Sequence, residues 1–214
     1  VNTMNFKFFT ETEKGDIAIN YIALDGKVVT YEDGRKIRAF SRTRYQVPVE
    51  LPDGKTKKYD QKQGTPVVAF VTPELLKRYK TGEETRDLYI VEGEFKAFAM
   101  SNFGLPTFGI GGIHNFKDEK GVRLNPEIIE FCNKCKVQNI ILLFDADCLQ
   151  VKWEEGKDLY NRPAGFYASI QKFNELLKPY NLNLYFAHIV PSSEFKGIDD
   201  VLYNGISNQD AVIT

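Results

Sequence analysis

The segment IILLFDADC, residues 140–148, joins a run of apolar side chains to two aspartates that lie one residue apart. A continuous apolar run of this length is typical of a strand that is buried on both faces of a sheet. Asp145 and Asp147 come where that strand leaves the sheet. Like charges this close repel one another unless a cation neutralises them. The segment therefore predicts a buried strand with a cation site at its end.

Strands and helices alternate along the second part of the chain. Further apolar runs predict strands at DLYIVEG (87–93), LPTFGIGG (105–112) and LNLYFAHIV (182–190). Helices are predicted at EFKAFAMSNFG (94–104), NPEIIEFCNKC (125–135), LYNRPAGFYASIQKFNELLK (159–178) and KGIDDVLYNG (196–205). This alternation is typical of βαβ units, so we expect an α/β domain with a mainly parallel sheet flanked by helices.

The first part of the chain is rich in β-branched and aromatic residues. DIAINYIAL (16–24), GKVVTY (26–31) and RKIRAFSRTRYQV (35–47) are separated by Asp-Gly turns, which predicts an antiparallel meander over residues 16–60. TPELLKRY (72–79) predicts a short helix with Thr72 as its N-cap. The polar stretch KTGEETRD (80–87) is the expected boundary. We therefore predict a β-rich N-terminal subdomain over residues 1–86 and the α/β domain over residues 87–214.

The composition argues against a disordered, a membrane-spanning or a disulfide-rich protein. The chain has 214 residues, of which 43% are hydrophobic and 13% aromatic, so it can bury a core and is not expected to be disordered. It contains no apolar stretch of the roughly 18 residues that span a bilayer, so no membrane association is expected. Three cysteines argue against a disulfide framework and for a reducing, cytoplasmic location.

Charge is distributed unevenly between the two parts. Residues 1–86 carry 16 Lys and Arg against 12 Asp and Glu, whereas residues 87–214 carry 12 against 17. Nine of the basic residues lie within 35–62, which contains three acidic residues. A basic first part and an acidic second part suit a bound polyanion and bound metal ions respectively. The alternative is that the basic segment is simply the solvated face of a hairpin.

Acidic side chains come at the ends of three predicted strands. Because ligands gather at the carboxyl ends of the strands in an open α/β sheet, we expect these side chains at one edge. Oxygen-only groups of this kind suit Mg²⁺ or Mn²⁺. Each residue also has an ordinary alternative role, either capping a helix or complementing its dipole. The groups are Glu92 with Glu94, Asp145 with Asp147, and Asp199 with Asp200.

Two other motifs carry weaker signals. The glycines of FGIGGIHNF (108–116) can make a tight turn or approach a phosphate, but no lysine follows in P-loop spacing. Cys132 and Cys135 form a C-x-x-C pair within a helical pattern. A structural zinc site would need two more donors from Cys148, His114 and His188, so we do not expect zinc.

The order E-G, G-G, D-x-D and K-G-x-D-D resembles the toprim domain, the metal-binding module of primases, topoisomerases and some nucleases. The resemblance runs from about Leu88 to Asn204. VEGEFKAFAMSNFGLPTFGIGGIHNF, LLFDAD and KGIDDVL are most similar to primase-like proteins of plasmids, phages and mobile elements. That subgroup carries E-G-E-x-K-A, G-G-x-x-N-F or -W, D-x-D and K-G-x-D-D.

The resemblance implies roles for individual residues. Glu92 matches the toprim glutamate that is proposed as the general acid or base in phosphoryl transfer. Asp145 and Asp147 match the metal-binding aspartates, and Asp200 with Asp199 matches a further acidic site of primases. The implied cofactor is Mg²⁺ or Mn²⁺, with Glu92 among its ligands.

Lys96 departs from the pattern of bacterial primases, in which the residue four positions after the glutamate is acidic. This lysine removes one candidate ligand and brings a cation to the site. It is therefore a second candidate catalytic residue that holds a phosphate. The alternatives are that it suppresses metal binding or forms a simple ion pair with a neighbouring carboxylate.

The N-terminal segments RAFSRTRYQVP and KKYD resemble the part that precedes the toprim domain in primases. There, basic residues and a lysine–tyrosine pair help to hold nucleotide or template. The implied partners are single-stranded DNA template and nucleotides, and a helicase domain or protein is a further candidate. The residues assigned to nucleic-acid or nucleotide binding are Arg42, Arg44, Lys57, Lys58, Tyr59, Gly111, Gly112, His114 and Asn115.

The sequence thus favours a metal-dependent nucleotidyltransferase that makes RNA or DNA primers in phage or mobile-element replication. Divalent ions and a carboxylate near the attacking hydroxyl suit that chemistry. Two alternatives stay open: a non-catalytic nucleic-acid-binding module of a larger replication or mobilisation protein, and a toprim nuclease.

Overall fold

The structure is a computed structural model that describes residues 6–52, 54–153, 160–190 and 195–204. The chain divides into two compact units, Val1–Pro66 and Val67–Thr214. This division lies upstream of the expected boundary at residues 80–87. The reason is that the strand Phe70–Val71, which was not predicted, and the predicted helix at Pro73–Thr81 both belong to the second unit.

The first unit is built from antiparallel strands. The strands are β1 (Phe9–Glu11), β2 (Ile17–Asn20), β3 (Thr30–Asp33), β4 (Lys36–Ala39), β5 (Ser41–Glu50) and β6 (Thr56–Asp60). The four-stranded sheet has the order β1-β2-β5-β6, and β3 and β4 form a separate two-stranded hairpin. The order differs from the predicted meander because β2 pairs with β5.

Phe40 divides the single strand that was predicted over residues 35–47. Its side chain is buried and packs edge-on against Tyr21, with 4.8 Å between the ring centroids. Its backbone N–H donates to Val29 O at 2.7 Å. Burial of this ring in the unit's core therefore separates the hairpin strand β4 from the sheet strand β5.

The second unit is a mixed α/β domain, which confirms the predicted fold class. Its sheet has the order β13-β10-β8-β9-β7, and every pairing is parallel except that of β7 with β9. Its strands are β7 (Phe70–Val71), β8 (Asp87–Glu92), β9 (Thr107–Ile110), β10 (Asn139–Phe144), β11 (Val151–Lys152), β12 (Tyr160–Asn161) and β13 (Asn183–His188). Its helices are α1 (Pro73–Thr81), α2 (Glu94–Asn102), α3 (Pro126–Lys134), α4 (Arg162–Leu177) and α5 (Ile198–Asn204).

The predicted starts of α1, α2 and α3 agree with the structure, whereas α4 and α5 begin later than the predicted residues 159 and 196. The helix predicted from residue 159 begins at Arg162, because Tyr160–Asn161 form strand β12 by pairing with β11. Asn125 caps α3 by accepting a hydrogen bond from Glu127 N at 3.0 Å. Thr72 precedes α1, but its hydroxyl donates to Thr107 O of β9 instead of capping the helix. Residues 159 and 205, at the ends of two predicted helices, lie outside the described residues.

One face of the large sheet is covered by α3 and α4. The register across β9, β8 and β10 places Phe108 and Leu142 in one row, and Phe144 lies two residues beyond. Side chains two apart on a strand share a face. Phe108 packs on Phe131 of α3 and Phe144 packs on Phe166 of α4, with ring centroids 5.9 Å and 4.6 Å apart.

The opposite face of the sheet is covered by α2, which approaches β9 closely at Gly109. A Cβ atom at this position would lie 3.1 Å from Ala97 Cβ, 3.1 Å from Gly93 O and 3.2 Å from Phe70 Cβ. The absence of a side chain at Gly109 lets the helix and the strand pack at this distance. Helices on both faces explain why the strands read as continuous apolar runs.

None of the helices in the described part of the chain has the length and apolar character that crossing a membrane requires.

We expect Gly109→Ala to destabilise the second unit by about 1–3 kcal/mol, because the added methyl group meets backbone and Cβ atoms that cannot move aside cheaply. Gly165→Ala is the matched control: Gly165 lies in α4, and a Cβ atom added there would lie in open space, so we expect a gain of about 0.5–1 kcal/mol from helix propensity. Urea unfolding measures both changes. Equal stability of the two variants would contradict the packing described here.

Candidate functional site

The carboxyl ends of β8 and β10 lie side by side at one edge of the sheet. Val91 pairs with Leu143, so Glu92 ends its strand beside Phe144, the residue before Asp145. Neighbouring strands are about 4.8 Å apart. Gly93 makes the turn from β8 into α2 with φ of 106°, a conformation that favours glycine. The sequence-based expectation that Glu92 and Asp145 share an edge agrees with this register.

The segment before α5 reaches the same edge. Ala146 N donates to Lys196 O at 2.9 Å, which ties the end of β10 to this segment. Gly197 is buried, and a Cβ atom there would collide with Asp199 Oδ1 and lie 2.9 Å from Lys96 Cε and 3.5 Å from Asp145 Oδ1. Side chains from α2, from the residue that follows β10 and from α5 therefore meet around this glycine.

Two lysines bind the two aspartates of the D-x-D motif. Lys96 Nζ lies 2.5 Å from Asp145 Oδ2, and the side chains are 21% and 18% exposed. Lys196 Nζ lies 3.0 Å from Asp147 Oδ2, with exposures of 65% and 17%. The first ion pair is largely shielded from water, whereas the second has one solvated partner. Repulsion between the aspartates is thus reduced by ammonium groups of the chain itself.

Asp200 has a structural role at the start of α5. Its Oδ2 accepts hydrogen bonds from the backbone N–H groups of Lys196 and Gly197, both at 3.0 Å. These two bonds lower the pKa of the Asp200 carboxyl, burial opposes the shift, and the positive charges of Lys96 and Lys196 add to it. The side chain reaches back across the first turn as in a capping box. The alternative of a helix-capping aspartate is therefore observed for this residue.

The described arrangement does not fit a divalent metal ion. The residue types suit Mg²⁺ or Mn²⁺, but within the described ranges no three Asp, Glu, His or Cys side chains form a group that could hold one. The predicted ligands Asp145 and Asp147 bind lysines, and Asp200 binds backbone amides. The expected five-residue ligand set with Glu92 and Asp199 is therefore not assembled in this conformation.

The glycine-rich segment after β9 lies next to Glu92. Glu92 pairs with Ile110, the last residue of β9, and Gly93 N donates to Ile110 O at 2.9 Å. Asn115 N donates to Gly112 O at 2.8 Å, which closes a turn, and His114 is exposed. The four predicted binding residues 111, 112, 114 and 115 thus form a loop at the same edge as the acidic residues.

The predicted template-binding residues of the first unit cluster on β5 and β6. Arg42 Cζ and Arg44 Cζ lie 5.0 Å and 4.9 Å from the centroid of the Tyr59 ring, so both guanidinium groups contact one aromatic side chain. Lys57 Nζ binds Asp60 Oδ1 at 2.5 Å, while Lys58 is exposed. The paired strands β5 and β6 therefore combine positive charge with an aromatic ring.

The C-x-x-C pair is buried within the second unit. Cys132 lies on α3 and Cys135 ends that helix. Burial raises the pKa of the Cys132 thiol to about 12, so this side chain is a neutral thiol at physiological pH. The pair packs as part of the apolar core.

Sequence reasoning missed Lys196 and Gly197 as parts of the site. Both belong to the K-G-x-D-D motif, so the signal was present in the sequence. A lysine is not a ligand for a hard divalent cation, and the role of Gly197 depends on which side chains meet there, so the motif alone does not identify either residue.

The fold of this chain is similar to that of known structures. The structure is similar to two solved structures, described as "Structure of the DnaG primase catalytic domain bound to ssDNA" and "Structure of the DnaG catalytic core". Each structure is 15% identical in sequence to this chain, with a TM-score of 0.50. The alignment with the first structure covers 91% of this chain and 53% of the other chain. The alignment with the second structure covers 87% of this chain and 47% of the other chain. The chain thus spans about half the length of these structures, and the likeness shows a shared fold.

Residues 82–208, more than half of the chain, match the family described as "Domain of unknown function (DUF3854)". The chain belongs to this family. No curated protein matches the sequence.

We expect Asp200→Ala to lower the free energy of unfolding by about 1–3 kcal/mol, because two backbone N–H groups lose a charged acceptor. Asp200→Asn keeps an acceptor oxygen in place and should cost less. Chemical denaturation of both variants measures the difference. An alanine variant as stable as the parent chain would contradict the capping role.

Proposed function

We propose that this chain is a primase-like toprim domain that binds single-stranded nucleic acid and forms phosphodiester bonds at the edge of its large sheet. The observation that supports the proposal is the meeting of Glu92, Asp145 and the segment before α5 at the carboxyl ends of parallel strands. Ligands of open α/β sheets bind at this position. The shared fold with the DnaG catalytic domain agrees with the proposal.

The residues at this edge suit phosphoryl transfer. The attacking hydroxyl forms a bond to the α-phosphorus of a nucleoside triphosphate while the bond to the leaving pyrophosphate breaks. Negative charge develops on the oxygens of the transferring phosphate and on pyrophosphate, and cations held at the site stabilise that charge. Lys96 and Lys196 bring two ammonium groups to the edge, and Glu92 is the carboxylate proposed to accept the proton of the attacking hydroxyl. Dependence on Mg²⁺ or Mn²⁺ stays a prediction, since the carboxylates proposed to hold the ion bind lysines in this conformation.

The first unit is proposed to hold the single strand. Arginine and lysine neutralise phosphates, and a tyrosine ring offers a surface on which a base can stack. The cluster of Arg42, Arg44 and Tyr59 provides both on adjacent strands. One of the DnaG structures is described as bound to single-stranded DNA, which is the ligand we propose here.

A second candidate function is that of a non-catalytic nucleic-acid-binding module. The short Lys96–Asp145 ion pair favours it, because it occupies a carboxylate that metal-dependent chemistry would need. In this case the toprim-like unit is a scaffold within a larger replication or mobilisation protein.

Oligonucleotide synthesis tests the proposed reaction. With single-stranded template, nucleoside triphosphates and MgCl₂ or MnCl₂, we expect product from the parent chain. The double variant Asp145→Asn with Asp147→Asn should reduce the rate by about a hundredfold or more, as expected when charged groups of a phosphoryl-transfer site are removed. Glu175→Gln, an exposed acid-to-amide change on α4, is the control that should keep full activity.

Two outcomes of that assay reject the proposed reaction. Unchanged synthesis by the double aspartate variant would show that this edge is not the site. Product from neither protein in any metal, with DNA affinity intact in EDTA, would select the non-catalytic module.

Fluorescence anisotropy with labelled single-stranded DNA in EDTA tests the binding surface. We expect Arg42→Ala with Arg44→Ala to weaken binding and to reduce the slope of log K against log salt by about 0.7 for each phosphate that the variant no longer neutralises. Tyr59→Ala should cost about 1–3 kcal/mol if a base stacks on the ring. Lys27→Ala, an exposed lysine of the same unit, is the control. Arginine variants that bind with parental affinity and slope would place the binding surface elsewhere.

A further inference from the structure

The side chain of Lys96 pairs with Asp145 and packs at Gly197, next to the start of α5. Its Nζ binds Asp145 Oδ2 at 2.5 Å, and its positive charge lowers the pKa of Asp200. Its Cε lies close to Gly197, beside which Asp199 Oδ1 and Asp145 Oδ1 also lie. Lys96 of α2 therefore binds one aspartate directly, and two aspartates of α5, Asp199 and Asp200, lie beside the same glycine. A compact cation among oxygens is the arrangement that a hard metal ion would otherwise provide.

The lysine is placed by packing as well as by charge. Four-fifths of its side chain is buried, as is that of Asp145. Buried charges are stable only when they are paired, so removing either partner leaves an uncompensated charge. A metal ion can bind Asp145 Oδ2 only after this pair is broken, and the cost of breaking it is subtracted from the affinity for the metal.

We propose that Lys96 takes the place of a divalent cation at this site and that it thereby sets the site's affinity for divalent metals. The inference rests on the proposed phosphoryl-transfer site and specifies its cation. The parent chain then holds divalent ions only weakly, because Asp145 already has a cation. Replacing Lys96 by a neutral side chain removes the cation from Asp145 and frees Asp145 Oδ2 to bind a divalent ion.

Lys196 provides a matched comparison within the same edge. It binds Asp147 Oδ2 at 3.0 Å, but its side chain is 65% exposed. An ion pair with a solvated partner contributes little, typically about 0–1 kcal/mol. Its removal should therefore change metal affinity far less than removal of Lys96, although both variants lose one positive charge.

Titration with Mn²⁺ alone, followed by electron paramagnetic resonance of the free ion, tests the inference on the whole chain without nucleic acid. We expect weak binding by the parent chain and an affinity gain of about tenfold or more for Lys96→Met. Lys96→Glu, which adds a carboxylate, should gain at least as much. Lys196→Met should stay within about twofold of the parent chain. Adding Asp145→Asn to Lys96→Met should abolish the gain.

Circular dichroism confirms that each variant is folded before titration. A parent chain that binds Mn²⁺ as tightly as Lys96→Met overturns the inference, and so does an equal gain from Lys196→Met. If Lys96→Met does not fold, Lys96→Gln and the parent chain supply the comparison, and equal Mn²⁺ affinity of these two proteins is again the contrary result.

This experiment is independent of the proposed function. Absence of oligonucleotide synthesis together with a Mn²⁺ affinity that rises in Lys96→Met rejects the reaction and keeps the role of the lysine. Oligonucleotide synthesis by the parent chain, together with a Mn²⁺ affinity that does not rise in Lys96→Met, keeps the proposed reaction and rejects the role of Lys96.

Discussion

The parallel pairing of β8 with β10 is the constraint on which the site depends. Its register brings the end of one strand, at Glu92, next to the end of the other, at Asp145. A shift by one residue would turn every side chain of a strand to the opposite face and would remove the buried apolar rows. The packing of Phe108 and Phe144 against α3 and α4 therefore fixes the register, and the register fixes the site.

Concentrated negative charge at this edge has to be compensated. The chain does so by three different means: a shielded lysine on Asp145, a solvated lysine on Asp147, and backbone amides on Asp200. The lysine on Asp145 and the backbone amides on Asp200 also hold α2 and α5 in place, because the side chain of Lys96 packs directly against Gly197. The groups that we propose to serve phosphoryl transfer therefore also form the ion pairs and hydrogen bonds that join these segments.

The sequence predicted the architecture of the second unit well, because strands buried on both faces give continuous apolar runs and helices have clear caps such as Asn125. It did not predict β7, since two residues are too short to show a period, and it missed the pairing of β2 with β5, which depends on contacts distant in the chain. For the site, it placed the acidic residues at one edge. It named an ion pair of Lys96 with a neighbouring carboxylate as an alternative, which the structure shows with Asp145. It did not predict the pair of Lys196 with Asp147, because that pair depends on distances that spacing does not encode.

A double-mutant cycle between Lys96 and Asp145 tests the central claim most directly. The free energies of unfolding of the parent chain, Lys96→Met, Asp145→Asn and the double variant give the coupling between the two side chains. Our account predicts a favourable coupling of about 1–3 kcal/mol in EDTA, as measured for contacting, shielded charges. Additive effects of the two substitutions would contradict it, because they would show that the ammonium and the carboxylate do not interact in solution.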